Sequence, residues 1–423
     1  MDSDARLQAD AVPAVPAVPA AVPTPAGTPQ VLAPDELPPP RMAPVATTQA
    51  WMPAMQSLRG LAALWVVLYH LQVYMDFFAL PLLALPGMRF GWLGVDLFFV
   101  LSAYLLGQPF LDRRREVQAG RFWMDRFLRI APPYYAAFLL TAIGYSLFAP
   151  DAWIPGKAWW SLLFLQNFRY EAFIAVNPAF WSLAVEMQFY LLLPWMARLF
   201  RGKGWPWALA AFTLVSLLYR AVVHEAGDGA QWALQLGGFT LPGFLGHFAV
   251  GLAVCRIRML DAPVGSGVRR GTFAAGIAMV AVPAWLLVPR GSVDFVGLSL
   301  AGDTMLRPLA AVGFGLMVLA TASGGRVARA LAWRPLAWLG GISYSLYLIH
   351  IPAQVLALHA ISPIENPWGW AGLAFTASVV GGWLLYKGVE APSELWRRRR
   401  KLRQRIAAQA AAASAGPGSP GSG

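Results

Sequence analysis

The chain has 423 residues, of which 57% are hydrophobic and only 13% are charged. Soluble domains carry about 25% charged residues, so this composition excludes an ordinary water-soluble fold and indicates a membrane protein. The net charge of +12 would suit nucleic-acid binding in a soluble protein, but here Arg and Lys occur in short runs between apolar stretches. We therefore expect anionic lipid as a partner and no nucleic acid.

The first 50 residues repeat Ala, Val and Pro without a periodic apolar face, as in AVPAVPAVPAAVP. Such a segment cannot bury enough apolar surface to fold, so residues 1–50 are predicted to form a disordered arm. Its prolines and the lack of an uninterrupted apolar stretch also argue against a secretory signal peptide. The chain contains one cysteine, Cys255, which excludes an internal disulfide and a multi-cysteine metal site.

From Leu58 onward, apolar segments of about 18–22 residues are long enough to span a bilayer. The sequence therefore predicts an all-α, polytopic integral membrane protein with about ten transmembrane helices, whose membrane domain occupies residues 51–392. The predicted spans are 58–80, 90–108, 131–149, 181–199, 205–223, 238–256, 271–289, 303–322, 340–360 and 369–389.

Basic residues separate the loops into two sets, as the positive-inside rule requires of alternate loops. One set includes the runs 113–129, 198–203, 256–270 and 326–334, and the basic tail 393–423 belongs to the same side. Both termini are therefore expected to be cytoplasmic. The longest opposite loop, 150–180, is rich in tryptophan and forms either an interfacial aromatic belt or a cover over a site.

Ionisable residues inside apolar segments usually mark a pathway or a site, because they are costly in hydrocarbon. Arg59 opens the first span and His70 lies about 16 Å further along the helix, on the same side. A guanidinium at a mouth can hold an anion and a deeper imidazole can accept a proton. A structural histidine, paired with a carbonyl or hydroxyl, is the alternative for His70 and equally for His350.

Three other positions extend this set of candidates. Asp96 and Glu186 must be protonated or paired across helices, and His70 or an arginine is the expected partner. Arg126 and Arg129 lie on one helical face just before two prolines, a spacing that can clamp a phosphate. Ordinary cytoplasmic loop charge explains the two arginines as well.

Five stretches together resemble the acyltransferase 3 family of membrane-bound acyltransferases over about residues 55–392. They are LRGLAALWVVLYH, GVDLFFVLSAY, RFWMDRFLRIAPPYY, WSLAVEMQFY and LGGISYSLYLIHIP. The resemblance implies transfer of an acyl group, acetyl by default, from cytoplasmic acyl-CoA to a hydroxyl, commonly on a cell-envelope glycan. It also implies a multi-pass protein of the bacterial plasma membrane.

The chain departs from the family pattern in two places. Ala103 follows Ser102 where the family usually has Gly, so the second helix is expected to pack slightly differently there. Some relatives continue into an extracytoplasmic esterase-like domain, whereas this sequence runs into WRRRRKLRQR and an Ala/Gly/Ser tail. Acceptor binding is therefore expected from the membrane domain or a partner.

The resulting hypothesis gives each candidate residue a role, with no metal. His70 serves as general base or transient acyl carrier, and Asp96 or Glu186 orients it or balances its charge. The CoA phosphates are assigned to Arg59, Arg126 and Arg129. Substrate-binding or structural roles are assigned to His350, Ser102 and Trp181.

The sequence leaves the acceptor and some function classes open. The acceptor is an envelope carbohydrate, a lipid-linked sugar or a secreted small molecule. A multispanning transporter without acyl transfer also has sparse buried charges, although no repeat of broken helices supports it. A membrane scaffold whose arginine-rich tail binds lipid or a partner is the third possibility.

Overall fold

The computed structural model describes residues 52–77, 87–150, 154–227, 238–260, 265–287 and 300–414. These residues form helices joined by turns and bends, and no β-strand occurs among them, which confirms the all-α prediction. The predicted arm 1–50 and the end of the predicted tail lie outside the described residues.

Fifteen α-helices follow one another along the described chain. The helices are α1 Met52–Phe77, α2 Gly94–Leu111, α3 Ala119–Phe148, α4 Trp159–Leu162, α5 Tyr170–Phe173, α6 Trp181–Arg201, α7 Trp205–Gly227, α8 Leu245–Met259, α9 Ser266–Leu287, α10 Leu300–Ala322, α11 Gly325–Leu331, α12 Arg334–Gly341, α13 Ser343–Ala360, α14 Pro367–Leu385 and α15 Ala391–Ser414. A π-helical turn, Tyr386–Glu390, joins α14 to α15.

Each of the ten predicted spans overlaps one of these helices. Within the described ranges, six helical stretches are long and apolar enough to cross a membrane. The pair α12 and α13, bent by 74°, makes a seventh if it is one span. Helix α8 has only 15 residues, fewer than the roughly 20 that a full crossing needs. The chain is therefore a multi-pass membrane protein, and ten crossings stay a prediction.

The helices approach one another closely where glycine removes a side chain. A Cβ on Gly251 of α8 would lie 2.6 Å from the Cβ of Ala103 on α2. The alanine that departs from the family pattern is therefore accommodated by a glycine opposite it. Gly340 similarly lets α12 contact the backbone of α1 at Gln56. Glycine therefore brings α2 close to α8 and α1 close to α12.

Prolines inside the helices create acceptors that other side chains use. A proline has no N–H, so the carbonyl four residues earlier loses its helical partner. Pro194 frees the carbonyl of Tyr190 in α6 in this way, and Trp123 Nε1 of α3 donates to it at 3.0 Å. The freed backbone group thus becomes a link between two helices.

Candidate functional site

His70 lies in the wall of a cavity of about 250 Å³. Residues of α1, α2, α10, α13 and the segment 173–181 line this cavity. Ligand pockets usually measure about 300–1,000 Å³, so the space suits a small group such as a short acyl chain and not a whole glycan. We call it the His70 cavity.

The hydrogen bonds of the two histidines define which ring nitrogen is basic. His70 Nδ1 lies 2.9 Å from the carbonyl oxygen of Val66 and 3.3 Å from His350 Nε2. His350 Nδ1 lies 2.8 Å from the carbonyl oxygen of Tyr347. A carbonyl only accepts, so Nδ1 carries the proton in both neutral rings. His350 Nε2 then accepts from His70, and the lone pair of His70 remains on Nε2.

His350 is held by a break in its own helix. Pro352 cannot donate to the carbonyl of Leu348, and Asn177 Nδ2 donates to that oxygen instead, at 2.8 Å. Both Asn177 and His350 are almost fully buried. The segment before α6 is therefore tied to α13 within one turn of the histidine pair.

A hydroxyl pair makes a second link between α6 and α13. Ser182 Oγ donates to the hydroxyl of Tyr347 at 2.8 Å, and that hydroxyl donates to the carbonyl of Ala179 at 3.0 Å. Tyr347 and Ala179 both line the His70 cavity. The loop 150–180 was predicted to form either an interfacial aromatic belt or a cover over a site. Its residues 173–179 contribute to the wall of the His70 cavity.

Asp96 is the centre of a buried charged group formed by three helices. Its Oδ1 accepts from His247 Nε2 of α8 at 2.7 Å, and its Oδ2 lies 3.2 Å from Arg307 Nη1 of α10. The guanidinium of Arg307 lies 4.6 Å from the ring centre of Trp92 and 5.2 Å from that of Phe244. Because Arg307 also lines the His70 cavity, Asp96 holds a positive charge in the cavity wall.

Glu186 pairs with the serine of α2. Ser102 Oγ donates to Glu186 Oε1 at 2.5 Å.

Arg59 donates from Nε to Ser343 Oγ at 3.4 Å, and its guanidinium lies 5.9 Å from the ring centre of Phe98. Arg59 is thereby placed at the bend between α12 and α13.

Arg126 and Arg129 each contact a carboxylate. Arg126 Nη2 lies 2.7 Å from Asp125 Oδ2, and Arg129 Nη2 lies 2.7 Å from Glu390 Oε1. Glu390 is fully buried and also accepts from Ser345 Oγ at 2.6 Å. Arg129 thus connects α3 to the π-helical turn after α14. The predicted phosphate clamp therefore competes with internal ion pairs, and it stays a prediction.

The structure brings some of the predicted site residues together and separates others. His70 and His350 are in contact, and Trp181 lines the same cavity, with 8% of its surface exposed. Asp96 and Glu186 were expected to orient His70. Asp96 is paired with an arginine, Arg307, as one of the two expected partners, and also with His247. Glu186 accepts from Ser102, and the ring that contacts His70 is that of His350.

Sequence reasoning did not find the pairing of Asp96 with His247 and Arg307. Asp96, His247 and Arg307 each lie in an apolar helix. Their separations of 151 and 211 positions along the chain left the pairing undetermined. Over the part of the chain that the structure describes, no three His, Cys, Asp or Glu side chains are grouped to hold a metal ion.

Comparison with known proteins gives matches over most of the chain. The profile of the acyltransferase 3 family, described as an acyltransferase domain, matches residues 52–387. The peptidoglycan O-acetyltransferase OatA of Listeria monocytogenes is 24% identical over 82% of this chain and 56% of its own length. The corresponding values for the putative peptidoglycan O-acetyltransferase YrhL of Bacillus subtilis are 25%, 76% and 51%.

A shorter match supports the same relationship. The O-acetyltransferase OatA of Staphylococcus aureus is 28% identical over 43% of this chain and 31% of its own length. The chain spans about half the length of the first two relatives. No solved structure matches it.

Proposed function

The chain belongs to the acyltransferase 3 family, and from this premise we propose that it transfers an acyl group from acyl-CoA to a hydroxyl. Acetyl is the proposed acyl group and a cell-envelope carbohydrate the proposed acceptor, because relatives are named as peptidoglycan O-acetyltransferases. The observation that carries the proposal is that His70, which contacts His350, lines a cavity sized for a short acyl chain.

His70 Nε2 is the proposed base. It takes the proton of the acceptor hydroxyl while the hydroxyl oxygen attacks the thioester carbonyl carbon. The carbon–sulfur bond then breaks and CoA leaves as a thiolate. His70 donates the proton that it took from the hydroxyl to the thiolate sulfur. In the alternative order, His70 Nε2 attacks the thioester carbonyl carbon and CoA leaves as a thiolate. The acceptor hydroxyl then takes the acyl group from the imidazole, and its proton passes to the thiolate.

Two neighbouring groups support this chemistry. The carbonyl of Val66 and His350 Nε2 both accept from His70 Nδ1, and together they fix the ring so that Nε2 is the nitrogen available for the substrate. Arg307, held by Asp96 in the wall of the same cavity, supplies positive charge for the carbonyl oxygen, which gains negative charge in the transition state. In the poorly solvated membrane interior such fixed charges act strongly.

The proposed sidedness follows from the basic loops. Arg and Lys cluster at the ends of the helices opposite to the His70 cavity, so acyl-CoA is proposed to enter from the cytoplasm. Both termini then lie in the cytoplasm of a bacterium whose plasma membrane holds the protein. The acceptor would enter from the other face, beside residues 173–181.

The direct test follows CoA release by the purified full-length protein in lipid nanodiscs. Acetyl-CoA and a soluble fragment of envelope glycan are mixed with the protein, and free thiol is measured over time. We expect thiol release that depends on the glycan and a product heavier by one acetyl group. Movement of substrate across the bilayer without thiol release would instead support the transporter.

Mass spectrometry of cells identifies the acceptor. Envelope glycans, lipid-linked sugars and secreted metabolites are compared with and without the protein. Loss of acetyl groups from the glycan fraction supports the proposed acceptor. Loss confined to lipid-linked sugars or to the medium would replace it with one of the other two.

A further inference from the structure

A second, larger cavity lies at the C-terminal ends of α2 and α8. Its volume is about 560 Å³, and Gln108, Asp112, Arg113, Arg114, Arg115 and Arg256 provide its polar lining. We call it the basic cleft. Val95 of α2 lines the His70 cavity and Leu111 of α2 lines the basic cleft. The rise of about 1.5 Å per residue separates the two sites by about 24 Å along this helix.

The basic cleft keeps an excess of positive charge after its internal contacts are counted. Asp112 is the carboxylate in its lining; Oδ2 lies 3.2 Å from Arg115 Nε, and Oδ1 accepts from the backbone N–H of Arg114 at 3.0 Å. Arg113 Nη2 donates to the carbonyl of Arg201 at 3.0 Å, which orients its guanidinium but leaves its charge unbalanced. Arg113, Arg114 and Arg256 thus remain as cations.

Arg256 gives the strongest indication that the cleft binds an anion. Its Nε is buried and has no hydrogen-bond partner among the residues described by the structure. Burial of a charged donor without a partner is unfavourable, and neighbouring guanidinium groups repel one another. An anion in the cleft would relieve both effects. Arg126 also has a buried Nε without a partner among the described residues, but its Nη2 lies 2.7 Å from Asp125, and Arg129 Nη2 lies 2.7 Å from Glu390, so these two charges are already balanced by carboxylates.

We propose that the basic cleft binds a phosphate-bearing ligand. Guanidinium groups donate two parallel hydrogen bonds to phosphate oxygens, and several arginines around one cleft suit a ligand with more than one phosphate. The cleft volume is typical of ligand pockets. On the proposed function, the occupant is the nucleotide end of acyl-CoA, whose acyl end extends along α2 toward the His70 cavity. The phosphate of an anionic lipid head group shares the same chemistry.

Binding of CoA to the full-length protein in phosphatidylcholine nanodiscs tests the proposal. Arg256→Gln removes the charge and should weaken CoA binding by about 10–100-fold, because a hydrogen bond to a charged group is lost together with its charge. Arg258→Gln is the matched control, since it removes the same charge from the same helix outside the cleft lining. It should change CoA binding by less than about threefold.

A second variant covers the case in which Arg256→Gln fails to fold. Arg114 is exposed, so Arg114→Gln should keep the fold, and we expect it to weaken CoA binding by about two- to tenfold. Unchanged thermal unfolding midpoints confirm that each variant is folded. Unchanged CoA binding in folded variants would exclude the CoA nucleotide as the occupant.

Nanodiscs with phosphatidylglycerol distinguish the two phosphate sources. Reduced lipid retention by Arg256→Gln with unchanged CoA binding would assign the cleft to a lipid head group. Wild-type behaviour with both ligands would overturn the phosphate site altogether. The outcome is separable from the proposed function, because CoA binding is measured without transfer. A protein that binds CoA in the cleft but releases no thiol from acetyl-CoA would keep this site and lose the acyltransferase.

Discussion

The His70 cavity and the basic cleft lie at opposite ends of α2 and use polar groups in opposite ways. At the cavity the polar groups are few, and His70, its contact His350 and Arg307 are each oriented by a specific partner. In the cleft several arginines surround one carboxylate and stay largely unbalanced. An apolar interior requires balanced and oriented groups, whereas a wet surface tolerates excess charge. The contrast assigns bond making to the cavity and ligand affinity to the cleft.

Replacement of His70 tests the assignment of chemistry to the cavity most severely. His70→Ala removes the proposed base, and general-base assistance typically contributes about 10²–10⁴-fold. We therefore expect acyl transfer to fall by that factor, measured as thiol release from acetyl-CoA. CoA binding in the cleft should change little, because the His70 cavity and the cleft are about 24 Å apart along α2.

His359→Ala is the control for this experiment. His359 is an exposed histidine near the end of α13, the helix that also carries His350. It should keep wild-type activity. If His70→Ala were as active as His359→Ala, the cavity would lose its catalytic role and only the membrane architecture would stand.

The buried charged group should have the next largest effect, on stability. Asp96→Asn removes the carboxylate that balances Arg307, and breaking a buried ion pair from one side costs about 3–5 kcal/mol. The unfolding midpoint in detergent should therefore fall clearly. The double variant Asp96→Asn with Arg307→Met removes the cation too and should recover most of the loss, although it should not recover activity. If the unfolding midpoint fell equally in both variants, the ion pair with Arg307 would not explain how Asp96 stabilises the fold.

The contact between the two histidines should have a smaller effect. His350→Leu removes one of the two acceptors of His70 Nδ1 and leaves the carbonyl of Val66. A neutral hydrogen bond is worth about 0.5–1.5 kcal/mol, so the transfer rate should fall by at most about tenfold. His350→Gln keeps an acceptor oxygen near the position of Nε2 and should restore much of the rate. If both variants lost activity equally, His350 would have a packing role and would not orient the base.

Apolar length identified the helices from sequence, but it could not separate membrane crossings from buried helices. Helix α8 illustrates this limit of hydropathy, because it overlaps the predicted span 238–256 but has only 15 residues. Ten of its residues, Gly246 to Cys255, are buried inside the protein, so an apolar composition there reflects helix packing. Hydropathy responds equally to lipid and to a protein core.

The sequence identified candidate residues more successfully than their partners. His70 and Asp96 stood out because an ionisable side chain is rare in apolar segments. Asp96 or Glu186 was then expected to orient His70 or to balance its charge. The structure pairs His70 with His350, which is 280 positions away along the chain. The helix packing that brings the two rings together is not encoded by any local sequence pattern. The arginines near Asp112 were interpreted as loop charge, because their cavity forms only when α2 meets α8.

The smallest effect is expected from the basic tail, which also separates an enzyme from a scaffold. Arg397 and Lys401 of α15 both contact Asp125 of α3, and the Lys401 Nζ distance is 2.7 Å. Deletion of the residues after Trp396 removes these two contacts and the ion pairs of Arg397 and Arg398 with Glu394. Partly exposed ion pairs contribute about 0–1 kcal/mol each, so stability should fall slightly while acyl transfer stays within about twofold of wild type.

Deletion of the residues after Ser414 is the matched control, since it shortens the tail but leaves α15 and its ion pairs in place. The two deletions should differ only in unfolding midpoint, and added salt should reduce that difference because it screens exposed charges. A scaffold that binds lipid or a partner through its arginines would behave otherwise. It would lose its function with the longer deletion and tolerate His70→Ala, the reverse of the pattern expected when chemistry resides in the cavity.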